Sequence, residues 1–215
     1  MLNSYFDKIF WINCKTRADR YLRMNRRFNE LSVDAERFEA IRGGKAECDI
    51  SITSTRKLNA GEVGCYLSHR ELYRRIKEAG WRRTLILEDD AEFVPDLVRK
   101  FADVYAAVPE DWQMLYLGRW NYDYLVNRER GQNGEWVGLN EKLAEKHGHG
   151  IYRADRNWLT HAYAVDGSAI DYLLDQTAEM AGGIDEVLAN IQHGLRVYAI
   201  HPALAHQDNS RSSLR

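Results

Sequence analysis

Short, strongly apolar runs alternate along this chain with longer stretches of helical periodicity, and that order leaves few folds open. The runs I-F-W-I-N (9–13), T-L-I-L (84–87), W-Q-M-L-Y-L-G (112–118), L-T-H-A-Y-A-V (159–165) and L-R-V-Y-A-I (195–200) read as strands. A shorter strand is expected at 37–41. Between them lie helical segments at 17–31, 60–79, 95–107, 168–178 and 184–192, the third opened by Pro95. Gly80 is the expected stop of the second, whose Val63, Leu67, Leu72 and Ile76 can share one buried side. Apolar strands alternating with helices predict an α/β fold, a Rossmann-type, mostly parallel central sheet flanked by helices.

The run T-L-I-L ends in three consecutive acids, Glu88, Asp89 and Asp90. Adjacent carboxylates repel, so they are tolerated where water screens them or a cation neutralises them. In an open α/β sheet, ligands bind beyond the carboxyl ends of the strands, and these acids stand at such an end. Strand alternation would send Glu88 and Asp90 one way and Asp89 the other, unless the strand breaks first. Two converging carboxylates suit a hard cation, Mn²⁺ or Mg²⁺. A solvated turn, with one acid capping the next helix, is the plainer alternative.

With 215 residues, 45% hydrophobic, the chain can bury a real core as one domain over 1–208. Thirty basic and 32 acidic residues give a net charge of −2, so nucleic acid is not an expected partner. Cys14, Cys48 and Cys65 are odd in number and lack metal or redox spacing, which favours a reducing, cytoplasmic setting. No apolar run has the roughly 20 residues of a membrane span, so membrane-bound material would be met peripherally. Residues 119–150 lack strong periodicity and read as hairpins or a flap, and 209–215 as a mobile tail.

Four separated motifs, I-F-W-I-N-C-K-T-R-A-D-R, G-E-V-G-C-Y-L-S-H, L-I-L-E-D-D-A-E-F, and H-A-Y-A-V-D-G-S-A-I-D-Y-L-L through I-D-E-V-L to H-P-A-L-A-H-Q-D, together resemble glycosyltransferase family 25. That family includes bacterial lipooligosaccharide galactosyltransferases and collagen galactosyltransferases. The resemblance implies a GT-A-like nucleotide-sugar fold and a divalent cation. It also implies transfer of a hexose, often galactose from UDP-galactose, to a hydroxyl of a glycan or glycoconjugate, with inversion. Carried over by position, Asp90 is the expected metal ligand, helped by Glu88, while Asp89 faces cation or ribose. Asp185 in I-D-E becomes the general base, since a sugar hydroxyl needs a carboxylate to take its proton. On its residues alone Asp185 reads rather as a helix N-cap.

Asn13, Arg17 and Arg20 follow the first strand, where arginine can pair phosphate oxygens. Ser68 and His69 are placed to reach the donor, with a structural hydrogen-bonded histidine as the alternative. Gly118 would let a ligand approach the backbone. His206, in A-H-Q-D, could complete the metal shell. Trp120, Tyr122, Tyr124 and Trp136 offer faces for stacking on acceptor sugar. The competing function is a non-catalytic nucleotide-sugar or glycan-binding module on the same fold.

Overall fold

The computed structural model describes residues 1–44, 50–118, 146–154 and 156–208. The aromatic quartet at 120–136 and the tail 209–215 lie outside the described residues. The elements are β1 (Lys8–Asn13), α1 (Ala18–Leu31), β2 (Glu36–Glu39), α2 (Ala60–Ala79), β3 (Arg83–Glu88), β4 (Ala91–Phe93), α3 (Leu97–Tyr105) and β5 (Met114–Tyr116). They continue with β6 (Lys146–Gly148), β7 (Ile151–Arg153), β8 (Ala162–Asp166), α4 (Ile170–Gln176), α5 (Ile184–Ile191), β9 (Val197–Ile200) and β10 (Ala205–Gln207).

The expected α/β architecture is present. Eight strands form one sheet in the order β2-β1-β3-β8-β5-β9-β7-β6. β1 runs parallel to β2 and β3, and β5 parallel to β9, whereas β8 and β7 are antiparallel to their neighbours. Most strands therefore point one way and deliver their carboxyl ends to one edge, with β8 reversed in the middle. The end of the irregular stretch is a hairpin, β6–β7.

Period-two side-chain alternation builds two cores. Phe10, Ile12 and Ile86 face α2, α4 and α5, packing with Leu67, Tyr73, Leu173 and Leu188. Ile9, Trp11, Leu85 and Leu87 face the other way, onto Met24 and Phe28 of α1 and Leu97 and Phe101 of α3. Each large side chain fully buried here contributes about 1.5–3 kcal/mol.

α2 starts at a reciprocal cap. Asn59 Oδ1 accepts from the Glu62 amide at 3.0 Å, and Glu62 Oε2 accepts from the Asn59 amide at 2.8 Å. It ends at Gly80, whose φ of 68° belongs to the left-handed region. Gly64 brings α2 against the chain after β2, since a Cβ there would sit 2.4 Å from the Ile41 carbonyl. α1 differs from its sequence pattern, because Leu22 is 65% exposed and the inward stripe is Arg20, Met24 and Phe28. A buried arginine on an apolar stripe needs partners, and the acids after β3 supply them.

One pairing has no periodic signal in the sequence. β4 follows the acids directly and pairs antiparallel with β10, with Ala91 opposite Gln207. The Asp208 amide donates to the Asp90 carbonyl at 2.9 Å, so the chain's last described turn closes over the acidic segment.

Candidate functional site

Glu88 is the last residue of β3, and Asp89 and Asp90 form the turn into β4. That turn breaks simple alternation, so each acid has its own surroundings. Asp89 is drawn back to the sheet edge, where its Oδ2 accepts from Asn13 Nδ2 at 2.7 Å and its Oδ1 pairs with Arg20. Both its oxygens are occupied. Asp90, 5% exposed, accepts at Oδ2 from Arg20 Nη1 at 3.3 Å. Its Oδ1 is buried without a hydrogen-bond partner among the described residues, although the Gln207 side chain lies against the carboxyl. Burial pushes the Asp90 carboxyl up to about 7, the charge of Glu88 adds to the rise, and Arg20 and Gln207 oppose it.

Glu88 Oε1 accepts from the Thr160 hydroxyl at 2.5 Å, faces His69 Nε2 at 3.1 Å, and lies 3.9 Å from Cys65 Sγ. Burial would raise this carboxyl, but His69 and Thr160 outweigh it and hold it below the usual carboxylate range. Behind it, His69 Nδ1 meets the Tyr163 hydroxyl at 2.8 Å, which meets the Tyr73 hydroxyl at 2.7 Å.

Two clefts open at this edge. The larger, about 370 Å³, runs between the ends of β1 and β3 and the start of α2, and is lined by Arg17, Arg42, Gly43, Gly44 and all three acids. The smaller, about 180 Å³, is lined by Arg56, Trp158, Thr160, Asp185 and Glu186. Cys65, Glu88 and Gln207 border both, so the clefts meet along that line. Leu159, on the rim of the smaller one, holds φ at 75°, an uncommon conformation for a branched residue and one that concentrates at functional sites.

Asp185 is in the first turn of α5, but the N-cap is Gly183. Its Oδ1 accepts from the Glu186 amide at 2.9 Å, and the residue still faces the smaller cleft. Burial raises its pKa above the ordinary carboxylate value, and the charge of Glu88 adds to the rise.

The structure brings Arg17, Arg20, Ser68, Glu88, Asp89 and Asp90 to the larger cleft. Asn13 stands behind it, held between Arg37 Nε at 3.0 Å and Asp89. Some of the expected residues, Ser68 among them, have protein surroundings of their own. Ser68 is fully buried, donating to the Gly64 carbonyl at 2.6 Å and accepting from the Ile41 amide at 2.9 Å, so it fastens α2 to the cleft wall. His69, also fully buried, spends both ring nitrogens on Glu88 and Tyr163 and orients the carboxylate rather than meeting a donor. Gly118 makes room for protein: a Cβ there would meet the Ala205 carbonyl at 2.5 Å and His161 Nε2 at 2.6 Å. His206 is exposed and borders neither cleft, because strand alternation in β10 turns its neighbour Gln207 inward instead.

Arg42, Arg56, Thr160 and Gln207 were not singled out by the sequence. Arg42 and Arg56 are unremarkable charges within polar loops, and only the fold brings them to the clefts. Gln207, one residue after His206, could have been reached by asking which parity of β10 faces the acids.

Residues 6–188 match the family described as Glycosyltransferase family 25 (LPS biosynthesis protein). Procollagen galactosyltransferase 2 of Mus musculus is 32% identical over 131 residues, covering 53% of this chain and 21% of the relative. A glycosyltransferase 25 family member of Anopheles gambiae is 28% identical over 152 residues, covering 64% of this chain and 24% of the relative. The chain thus matches between a fifth and a quarter of the length of these relatives. Among solved structures, A197 from STIV superposes with a TM-score of 0.50 at 11% identity, over 93% of this chain and 84% of that one, a likeness of fold.

Proposed function

Since the chain belongs to glycosyltransferase family 25, we propose that it transfers a hexose, galactose from UDP-galactose, to a hydroxyl of a glycan or glycoconjugate, with inversion and with a divalent cation at the acidic turn. The observation that carries this reading is the Oδ1 of Asp90, a buried carboxylate oxygen without a hydrogen-bond partner among the described residues, on the wall of a cleft that Arg17, Arg20 and Arg42 also line. A buried carboxylate oxygen left without a hydrogen bond is costly, and a cation would remove the cost.

The residues fit a hard cation such as Mn²⁺ or Mg²⁺: Asp90 and Glu88 would hold it, the cleft leaving room for water and phosphate oxygens. When bound, the ion neutralises charge that builds on the departing diphosphate. Arg17 and Arg42 stand on the same wall to bind phosphate oxygens. Arg20 is tied to Asp89 and Asp90 and keeps the two acids from repelling each other out of position. Asp185, in the adjoining cleft, accepts the proton of the acceptor hydroxyl. With Asp185 as base the acceptor hydroxyl attacks the anomeric carbon directly in a single displacement, which inverts it.

The curated relatives named procollagen galactosyltransferase support galactose as the sugar. The test is incubation of the chain with UDP-galactose and Mn²⁺. Slow release of UDP without acceptor, faster with glycan acceptors and suppressed by chelation, is expected. Binding of the nucleotide-sugar without release under any acceptor would instead favour a binding module.

A further inference from the structure

We propose that Cys65, His69 and Glu88 form a second cation site, chemically distinct from the acidic turn and suited to a borderline transition metal, Zn²⁺. Cys65 and His69 are four residues apart on α2, so their side chains stack on one helical face, opposite the end of β3. Their Sγ and Nε2 and the Glu88 Oε1 all lie within 4.8 Å of one another. The N···O separation is 3.1 Å and the S···O separation 3.9 Å. A tetrahedral zinc ion, with bonds of about 2.3 Å to sulfur and about 2.0 Å to nitrogen and oxygen, spaces its ligands by roughly 3.3–3.6 Å. The N···O and S···O separations are within a few tenths of an ångström of these values, and the sulfur and nitrogen lie within 4.8 Å of each other.

The surroundings support such an ion. His69 Nδ1 already faces the Tyr163 hydroxyl at 2.8 Å, the outer-shell contact that fixes the ring of a metal-bound histidine. Because Tyr163 continues to Tyr73, and hydroxyls both donate and accept, the pair can reverse direction when His69 moves its proton from Nε2 to Nδ1. Cys65 and Glu88 border both clefts, so the fourth position opens to water or a ligand. Binding replaces the thiol proton, which leaves to solvent, and forms one sulfur–metal bond.

A thiolate and an imidazole select Zn²⁺ over Mg²⁺ or Mn²⁺, whereas the all-oxygen set at Asp90 selects the reverse. The two sites share only Glu88, so Zn²⁺ would draw that carboxylate away from the acidic turn. Whether the metal binds is independent of sugar transfer, and the test reads binding alone.

The experiment uses the full chain as Cys14→Ser/Cys48→Ser, which leaves Cys65 the sole thiol, with circular dichroism confirming the fold. Titration with Co²⁺ should produce a sulfur-to-cobalt charge-transfer band that saturates at one equivalent and disappears on addition of Zn²⁺. Adding Cys65→Ser should abolish the band. No charge-transfer band in the folded Cys65-only protein, or an undiminished band after Cys65→Ser, overturns the proposal. Should the triple variant not fold, zinc-edge X-ray absorption of the Cys65-only protein decides: one sulfur neighbour upholds the site and none overturns it.

Discussion

Asn13 and Asp89, 76 positions apart, meet through a buried 2.7 Å hydrogen bond that ties the end of β1 to the turn after β3. Arg20 completes the arrangement from α1, and only 2% of its surface is exposed. The acidic turn is therefore held in place by side chains from β1 and α1.

Removing Asp89 leaves the Arg20 guanidinium short of one buried partner. Asp89→Ala should cost about 3 kcal/mol, the lower end for a broken buried pair because Asp90 still contacts Arg20. Urea unfolding measures this, and a loss under about 1 kcal/mol would show the pair to be dispensable.

Gly118 separates packing from ligand approach. Gly118→Ala sets a methyl against a backbone carbonyl at 2.5 Å, which cannot swing aside, so stability should fall by about 1–3 kcal/mol. Nucleotide-sugar affinity, measured below the unfolding transition, should change little. Full stability with lost affinity would return Gly118 to the donor site.

Asp185→Asn should retain donor binding and lose transfer by roughly 10² to 10⁴, as expected when a general base is removed. The base acts ionised and its pKa is raised by burial, so the wild-type rate should fall on acidification at a pH above the ordinary carboxylate range. Turnover unaffected by the substitution removes Asp185 from the chemistry.

Asp90 predicts a pH signature in stability. Its folded pKa of about 7 exceeds the ordinary 3.8, so between these values the folded state binds more protons than the unfolded one, and its stability falls as pH rises. Without divalent cations, wild type should lose stability relative to Asp90→Asn across that window. Mn²⁺, which replaces the proton, should stabilise wild type more at the upper end. Parallel profiles for the two proteins would contradict this.

The sheet was legible because β1, β3 and β9 are apolar on both faces, and α2 because its cap, apolar face and terminal Gly80 agree. The acids at the exit of β3 were legible for the same reason, standing where a core strand ends. What escaped depends on contacts between distant segments. The pairing of β4 with β10 decides that Gln207, not His206, faces Asp90. Arg20 is inward on α1 because Asp89 and Asp90 wait there, a fact no periodicity in α1 contains. His69 lies in a motif of the expected kind, yet its hydrogen bonds to Glu88 and Tyr163 make it a support for the carboxylate.

Asp90 is proposed to hold a cation against a nucleotide-sugar, and calorimetric titration of UDP-galactose with and without Mn²⁺ tests this most directly. Wild type should bind in the presence of Mn²⁺ and at least about tenfold more weakly without it, a difference of roughly 1.4 kcal/mol, while Asp90→Asn should bind weakly in both. Equal affinity of wild type and Asp90→Asn with Mn²⁺ present would contradict it.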